Sequence, residues 1–183
     1  MTPEQRAAAF TLDIDDLVTG SAVAVETPAA QASAAPAARP GPAAPAAPVR
    51  RPAADGPVPR LSWPVDGRVI LSRYGAKPGG RFNDGINIKA LRGQTVRAAA
   101  DGEVIYVGDA IAGFGLLMLV RHPGGTVTAY GHLDSAIASR GDRVSGGQPI
   151  ARAGATGAVR EPQLLFEVRQ GRRALDPLQF LPS

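Results

Sequence analysis

The chain has no cysteine among its 183 residues. Neither a disulfide framework nor a thiolate metal site can be built from it, and the redox compartment is left open. Aromatic residues are sparse, with five Phe, three Tyr and one Trp. Long apolar runs are also missing. The run 115–120 is among the longest and falls far short of the roughly 20 residues that span a bilayer as a helix. Residues 1–20 carry Glu4, Asp13, Asp15 and Asp16 and no apolar stretch after a basic start, so they do not read as a signal peptide. An exported protein would contain this chain as a mature form or a fragment. The arginines are scattered and not interleaved with aromatics, which gives no support for nucleic-acid binding.

Three segments follow one another. Residues 2–18 read as a short helix. Thr2, Pro3 and Gln5 fit a capping box, and Ala7, Phe10, Ile14 and Leu17 fall on one face. A lone helix of this length is marginal in water and needs a surface to lie on; the alternative is a frayed end. Residues 21–60 hold nine of the 17 prolines among many alanines. Such a stretch cannot bury enough surface to offset its ordering, so it reads as an extended tether. Residues 61–183 read as the folded domain. Strand signals at 69–74, 95–100, 103–108, 116–122, 126–132, 149–154 and 164–170 are separated by glycine-rich turns, the pattern of an all-β sandwich or barrel. The segments 116–122 and 126–132 read as a hairpin turning at Pro123-Gly124-Gly125. Residues 133–138 and 176–181 are each expected to make a helical turn.

Charge is uneven. Residues 1–20 have one Arg against four acids, and residues 61–183 have fifteen Lys and Arg against ten acids. The acidic, amphipathic first segment sits on a long tether beside a basic domain, so it could fold back over that domain as a lid.

The run from Trp63 to Leu181 resembles the LytM domain of the lysostaphin-type zinc endopeptidases, which cut peptidoglycan cross-links. The matching pieces are WPVDGRVILSRYG, NDGINIKALRGQTVRAAADGEVIYVG, GFGLLMLVRH, TAYGHL, GDRVSGGQPIARAGATG and LLFEVR followed by LDPLQFL. The resemblance implies an all-β barrel-sandwich fold. It also implies that Asn83, Asn87 and Leu165 stand where the active family places its metal ligands. Gln163 and His132 then stand where it has two further catalytic histidines, only the second being retained. Carboxamides are poor donors to zinc and leucine donates nothing, so the site reads as degenerate, with no catalytic residue, metal or cofactor. His132 alone reads as a hydrogen-bonded structural residue, and His122, before the hairpin turn, as solvent-facing. Asp84 is expected to point to the face opposite the asparagines.

Domains of this kind without their metal ligands resemble the activators of bacterial cell separation, and NDGINI and EPQLLFEVR resemble the DipM type among them. The implied function is a periplasmic protein that binds and activates or regulates peptidoglycan amidases or other cell-wall hydrolases. Alternation along the strands groups Gln163, Leu165, Glu167 and Arg169 on one face, and Tyr130 with His132 on another. The expected partner groove comprises Asn87, Phe114, Leu117, Tyr130 and Arg169, with core packing as the other reading of Phe114 and Leu117. A module that binds peptidoglycan directly and a residual zinc endopeptidase are the competing functions. Two segments, 92–108 and 141–154, also resemble halves of biotinyl or lipoyl carriers, but the hairpin tip holds no lysine.

Overall fold

A computed structural model describes residues 57–183; the helix read at 2–18 and all but the end of the tether lie outside them. The strands are β1 (Ile70–Ser72), β2 (Gly75–Ala76), β3 (Phe82–Asn83), β4 (Gly85–Lys89), β5 (Thr95–Arg97), β6 (Gly102–Gly108), β7 (Leu116–Arg121), β8 (Thr126–Ala136), β9 (Arg143–Val144), β10 (Pro149–Ala153), β11 (Gln163–Gln170) and β12 (Arg173–Leu175). Every pairing is antiparallel. One large sheet runs in the order β1-β4-β11-β8-β7-β6-β9; β10 joins β8 to β5, β12 adds to β11, and β2 pairs with β3 apart from it. Among the described residues no helix is long and apolar enough to cross a membrane.

Alternation builds the main core. Ile86 and Ile88 of β4, Met118 and Val120 of β7, and Leu164, Phe166 and Val168 of β11 all point into one buried cluster. Fully burying a side chain of this size contributes about 1.5–3 kcal/mol. Leu117 and Leu119 of β7 are buried on the opposite face, in a second cluster with Val127 and Ala129. That double burial explains why β7 reads as a continuous apolar run.

Two sequence expectations are corrected here. Residues 133–136 continue β8 rather than making a helical turn, because they pair with Ala151–Ala153 of β10. The turn at the carboxyl end is present as a 3-10 helix, Pro177–Gln179, with Asp176 accepting from the Leu178 N–H. His122 does not face solvent. It is buried at the end of a polar chain through the core. Its Nδ1 lies 2.7 Å from the Asp101 carbonyl, which can only accept, so Nδ1 carries the proton of the neutral ring. Nε2, 2.8 Å from Thr128 Oγ1, then accepts the Thr128 hydroxyl. Thr128 Oγ1 in turn accepts from the Tyr130 hydroxyl at 3.0 Å, and the Tyr130 oxygen accepts from the Ala99 N–H at 2.9 Å. Burial pushes the Tyr130 hydroxyl up to about 12.

The same burial holds the His122 imidazole below its ordinary value, only partly offset by the Asp101 carbonyl. The folded state therefore binds fewer protons than the unfolded state below the ordinary histidine pKa of about 6.5. The contribution of neutral His122 is present in full above that pH and is lost as pH falls. Thermal midpoints measured from about pH 7.5 down to about pH 5 are expected to decline, and His122→Gln is expected to flatten that decline.

Candidate functional site

The candidate site starts from a break in strand alternation. Met118 pairs with Tyr130 and Leu116 with Leu133, so Leu117 alone opposes both Gly131 and His132. The extra residue is a β-bulge. His132 takes it up with φ 62°, the one left-handed non-glycine among the described residues. That conformation costs a non-glycine residue about 1–2 kcal/mol. Tyr130 and Leu133 both point into the main core, and His132 is turned to the other side.

Two loops hold it there. The His132 N–H donates to the Phe114 carbonyl at 2.8 Å, and the His132 ring lies with Nδ1 2.9 Å from the Thr156 carbonyl. That carbonyl accepts, so Nδ1 carries the proton and Nε2 is left as the acceptor nitrogen. Burial lowers the pKa of this ring too, with the Thr156 bond opposing. Thr156 Oγ1 accepts from the Leu116 N–H at 3.0 Å and donates to the Leu133 carbonyl at 2.7 Å. The loops meet at Gly115, whose φ is +63° and where a Cβ would fall 2.4 Å from Thr156, so no side chain fits between them.

On the far wall a backbone N–H sets the orientation of both asparagines. The Gly85 N–H donates to Asn83 Oδ1 at 3.2 Å. Asn83 Nδ2 must then point away, and it donates to Ser72 Oγ at 3.1 Å and to Asn87 Oδ1 at 2.9 Å. Asn87 Oδ1 being occupied as acceptor, its Nδ2 remains as a donor. Asn87 stands beside Leu165 across the β4–β11 pairing. Asn83, Asn87, Phe114, His132, Val159 and Leu165 line an open cavity of about 240 Å³, just below the roughly 300–1,000 Å³ of small-molecule sites.

The expected groove is only partly assembled. Asn87 and Phe114 line the cavity with Asn83, His132 and Leu165. Gln163 sits at the start of β11, pairs with Lys89, and donates its N–H to the Gly154 carbonyl; it is not part of the lining. Tyr130 is a core residue, fully buried against Phe166 at 5.5 Å between ring centroids. The bulge separates it from His132, and counting by twos could not detect that. Leu117 is fully buried in the second cluster. Arg169 is buried as well, with Nη1 3.1 Å from Glu167 and 3.8 Å from Asp84. Asp84 therefore reaches the cavity side of the sheet, contrary to simple alternation, because it lies between β3 and β4 and not within a strand. Sequence reasoning missed Thr156, Ser72 and Val159, since nothing in their local sequence marks them.

The arrangement is that of a lysostaphin-type β domain whose site is walled by two carboxamides, one imidazole and a leucine. The chain belongs to peptidase family M23, which it matches over residues 81–177. It is 42% identical over 129 residues to the cell division protein DipM of Caulobacter vibrioides, covering 67% of this chain and 21% of that protein. It is 38% identical over 127 residues to the murein hydrolase activator NlpD of Escherichia coli, covering 69% of this chain and 32% of that one. The chain thus spans no more than about a third of either relative's length. A solved zinc-containing peptidase from Vibrio cholerae superposes with a TM-score of 0.59 at 32% identity, covering 64% of this chain and 39% of that one.

Zinc does not fit the residues present. It is held by imidazole nitrogen, thiolate or carboxylate, and the positions that the resemblance assigns to ligands hold Asn83, Asn87 and Leu165. Asn83 Nδ2 instead donates to Asn87 Oδ1. Among the described residues no three His, Cys, Asp or Glu side chains form a group that could hold a metal ion.

Two outcomes test this construction. Thr156→Val removes the acceptor of the Leu116 N–H and the donor to Leu133, and is expected to cost about 1–3 kcal/mol. For a domain of this size that lowers the thermal midpoint by several degrees. The combined change Asn83→His, Asn87→Asp, Leu165→His is expected to bind one zinc per chain by elemental analysis, with the parent chain binding none under the same dialysis.

Proposed function

We propose that the chain is a non-hydrolytic M23 domain that binds peptidoglycan hydrolases, amidases in particular, and activates or regulates them during daughter-cell separation. The observation that carries this reading is the Asn83–Asn87 hydrogen bond: two carboxamides close on each other where the resemblance places a metal. A hydrolytic zinc site must lower the pKa of bound water to about 7, and a donor set of two amides and a leucine supports no such ion. The names of DipM and NlpD support the cell-division and hydrolase-activation part of the reading, although the chain corresponds to only a part of each. Peptidoglycan lies outside the cytoplasmic membrane, so the proposed location is the periplasm.

The surviving cavity suits an inserted side chain or short peptide. Asn87 Nδ2 offers a donor and His132 Nε2 an acceptor, between the apolar walls of Phe114, Val159 and Leu165. Together these match the edge of a peptide backbone with an adjoining apolar group. Activation requires only that the open form of the hydrolase bind better than its closed form, and a tenfold preference corresponds to about 1.4 kcal/mol.

The test is a dye-release assay on purified sacculi with a periplasmic amidase, with and without the chain. Stimulation is expected, with no release by the chain alone. Phe114→Ala and Asn87→Ala are each expected to raise the half-maximal concentration about tenfold or more. Cleavage of cross-linked muropeptides by the chain alone, or a complete lack of stimulation of such amidases, would overturn the reading.

A further inference from the structure

The strand order β1-β4-β11-β8-β7-β6-β9 has two ends, and they differ. At one end β9 is two residues long, Arg143 and Val144, and Val144 is buried. At the other end β1 pairs with β4 alone, and no second strand among the described residues lies along its outer side. The Lys89 N–H donates to the Val69 carbonyl at 2.8 Å. In an antiparallel ladder the next residue turns its backbone groups the other way, so the Ile70 N–H and carbonyl point outward. Large apolar side chains stand along this edge, with Val69 59% exposed and Leu71 46%. The β2–β3 hairpin continues it, with Phe82 56% exposed and set edge-on to Tyr74 at 5.3 Å between ring centroids. An open strand edge with exposed apolar residues is a template for another strand.

The charges around the edge select what can pair there. From residue 66 to residue 89 the chain carries Arg68, Arg73, Lys77, Arg81 and Lys89 against Asp66 and Asp84, and Asp84 is turned toward Arg169. None of these five cations makes an ion pair among the described residues. Arg68 is held over the Trp63 ring at 5.6 Å. Lys89 stands across from Val69, on the face of β4 that also holds Asn87. A second copy added antiparallel about Ile70 would bring each Arg68 close to the other copy's Arg73. That like charge, with the irregular register between Ile70 and Ser72, opposes self-pairing. The same charges favour a strand that bears carboxylates. We propose that β1 is a docking edge for an extended acidic segment of another protein. The segment adds to the sheet as a strand outside β1, with apolar side chains against Val69 and Leu71 and carboxylates toward Arg68, Arg73 and Lys89. Ser72 stands across from Asn87 and accepts from Asn83 Nδ2 at 3.1 Å, so the added strand runs outside the far wall of the cavity and does not enter it. This docking does not rest on the function proposed above.

The test uses the full chain and fluorescein-labelled peptides read by fluorescence polarisation. The probe is Glu-Glu-Val-Thr-Val-Glu-Glu, beside a form N-methylated at its three central residues and a form with Lys in place of every Glu. The first peptide is expected to bind. N-methylation removes the strand donors from both edges of the peptide and is expected to weaken binding about tenfold or more. The Lys form is expected to lose a similar factor, and salt of about 1 M, where the screening length is about 3 Å, is expected to weaken the Glu form. Arg73 and Lys89 make no side-chain hydrogen bond or ion pair among the described residues, so their replacement leaves the fold intact. Arg73→Glu with Lys89→Glu is expected to reverse the preference, losing the Glu form and gaining the Lys form. No binding of the Glu form up to about 1 mM, equivalent to about 4 kcal/mol, overturns the proposal. Equal binding of the N-methylated form also overturns it, because charge alone then accounts for the contact. So does a dimer in sedimentation that Leu71→Asp dissolves, which assigns the edge to a second copy. Sedimentation with phosphatidylglycerol vesicles that the Glu form does not displace assigns it to a lipid surface and overturns it as well. None of these readouts uses a hydrolase, so failure to stimulate one leaves the docking intact.

Discussion

One extra residue in β8 organises the site. If Gly131 and His132 opposed two residues of β7 instead of the single Leu117, His132 would follow the pleat and Leu133 would leave the core. The bulge reverses the pleat once, so Tyr130 and Leu133 both stay inside while the imidazole comes out on the cavity side. A left-handed histidine costs about 1–2 kcal/mol and persists only when its surroundings over-determine it. Here the Phe114 carbonyl holds its N–H, the Thr156 carbonyl holds its Nδ1, and Thr156 Oγ1 ties the two flanking segments together. The loops that make the near wall of the cavity are therefore positioned by the same bonds that position the histidine.

That device also marks where the sequence could be read and where it could not. The positions of β1, β5, β6, β7, β8, β10 and β11, the Pro123-Gly124-Gly125 hairpin and the terminal turn were legible because they rest on local composition and period. The asparagines, His132 and Leu165 were legible as a group because the resemblance supplied their register. Side-chain direction was not, wherever it depended on a single residue of slippage. Period-two counting placed Tyr130 with His132 and sent Asp84 to the far face; a bulge and a strand break respectively reverse both. His122 and Arg169 failed for another reason. Polar residues are mostly exposed, and only the three-dimensional partners reveal that these two are enclosed, His122 by Asp101 and Thr128, Arg169 by Glu167 and Asp84.

The far wall shows how a cavity can be ordered on amides. A bound cation normally organises its ligands by charge. Here the order begins at the Gly85 N–H and passes through Asn83 to Asn87 by hydrogen bonds alone. Each such bond contributes about 0.5–1.5 kcal/mol net, modest beside a metal site but independent of ion supply and of pH. Across the cavity His132 Nε2 is an acceptor only while the ring is neutral, and burial favours that form. The donor on one wall and the acceptor on the other are thus both fixed before any ligand arrives, which lowers the ordering cost of binding.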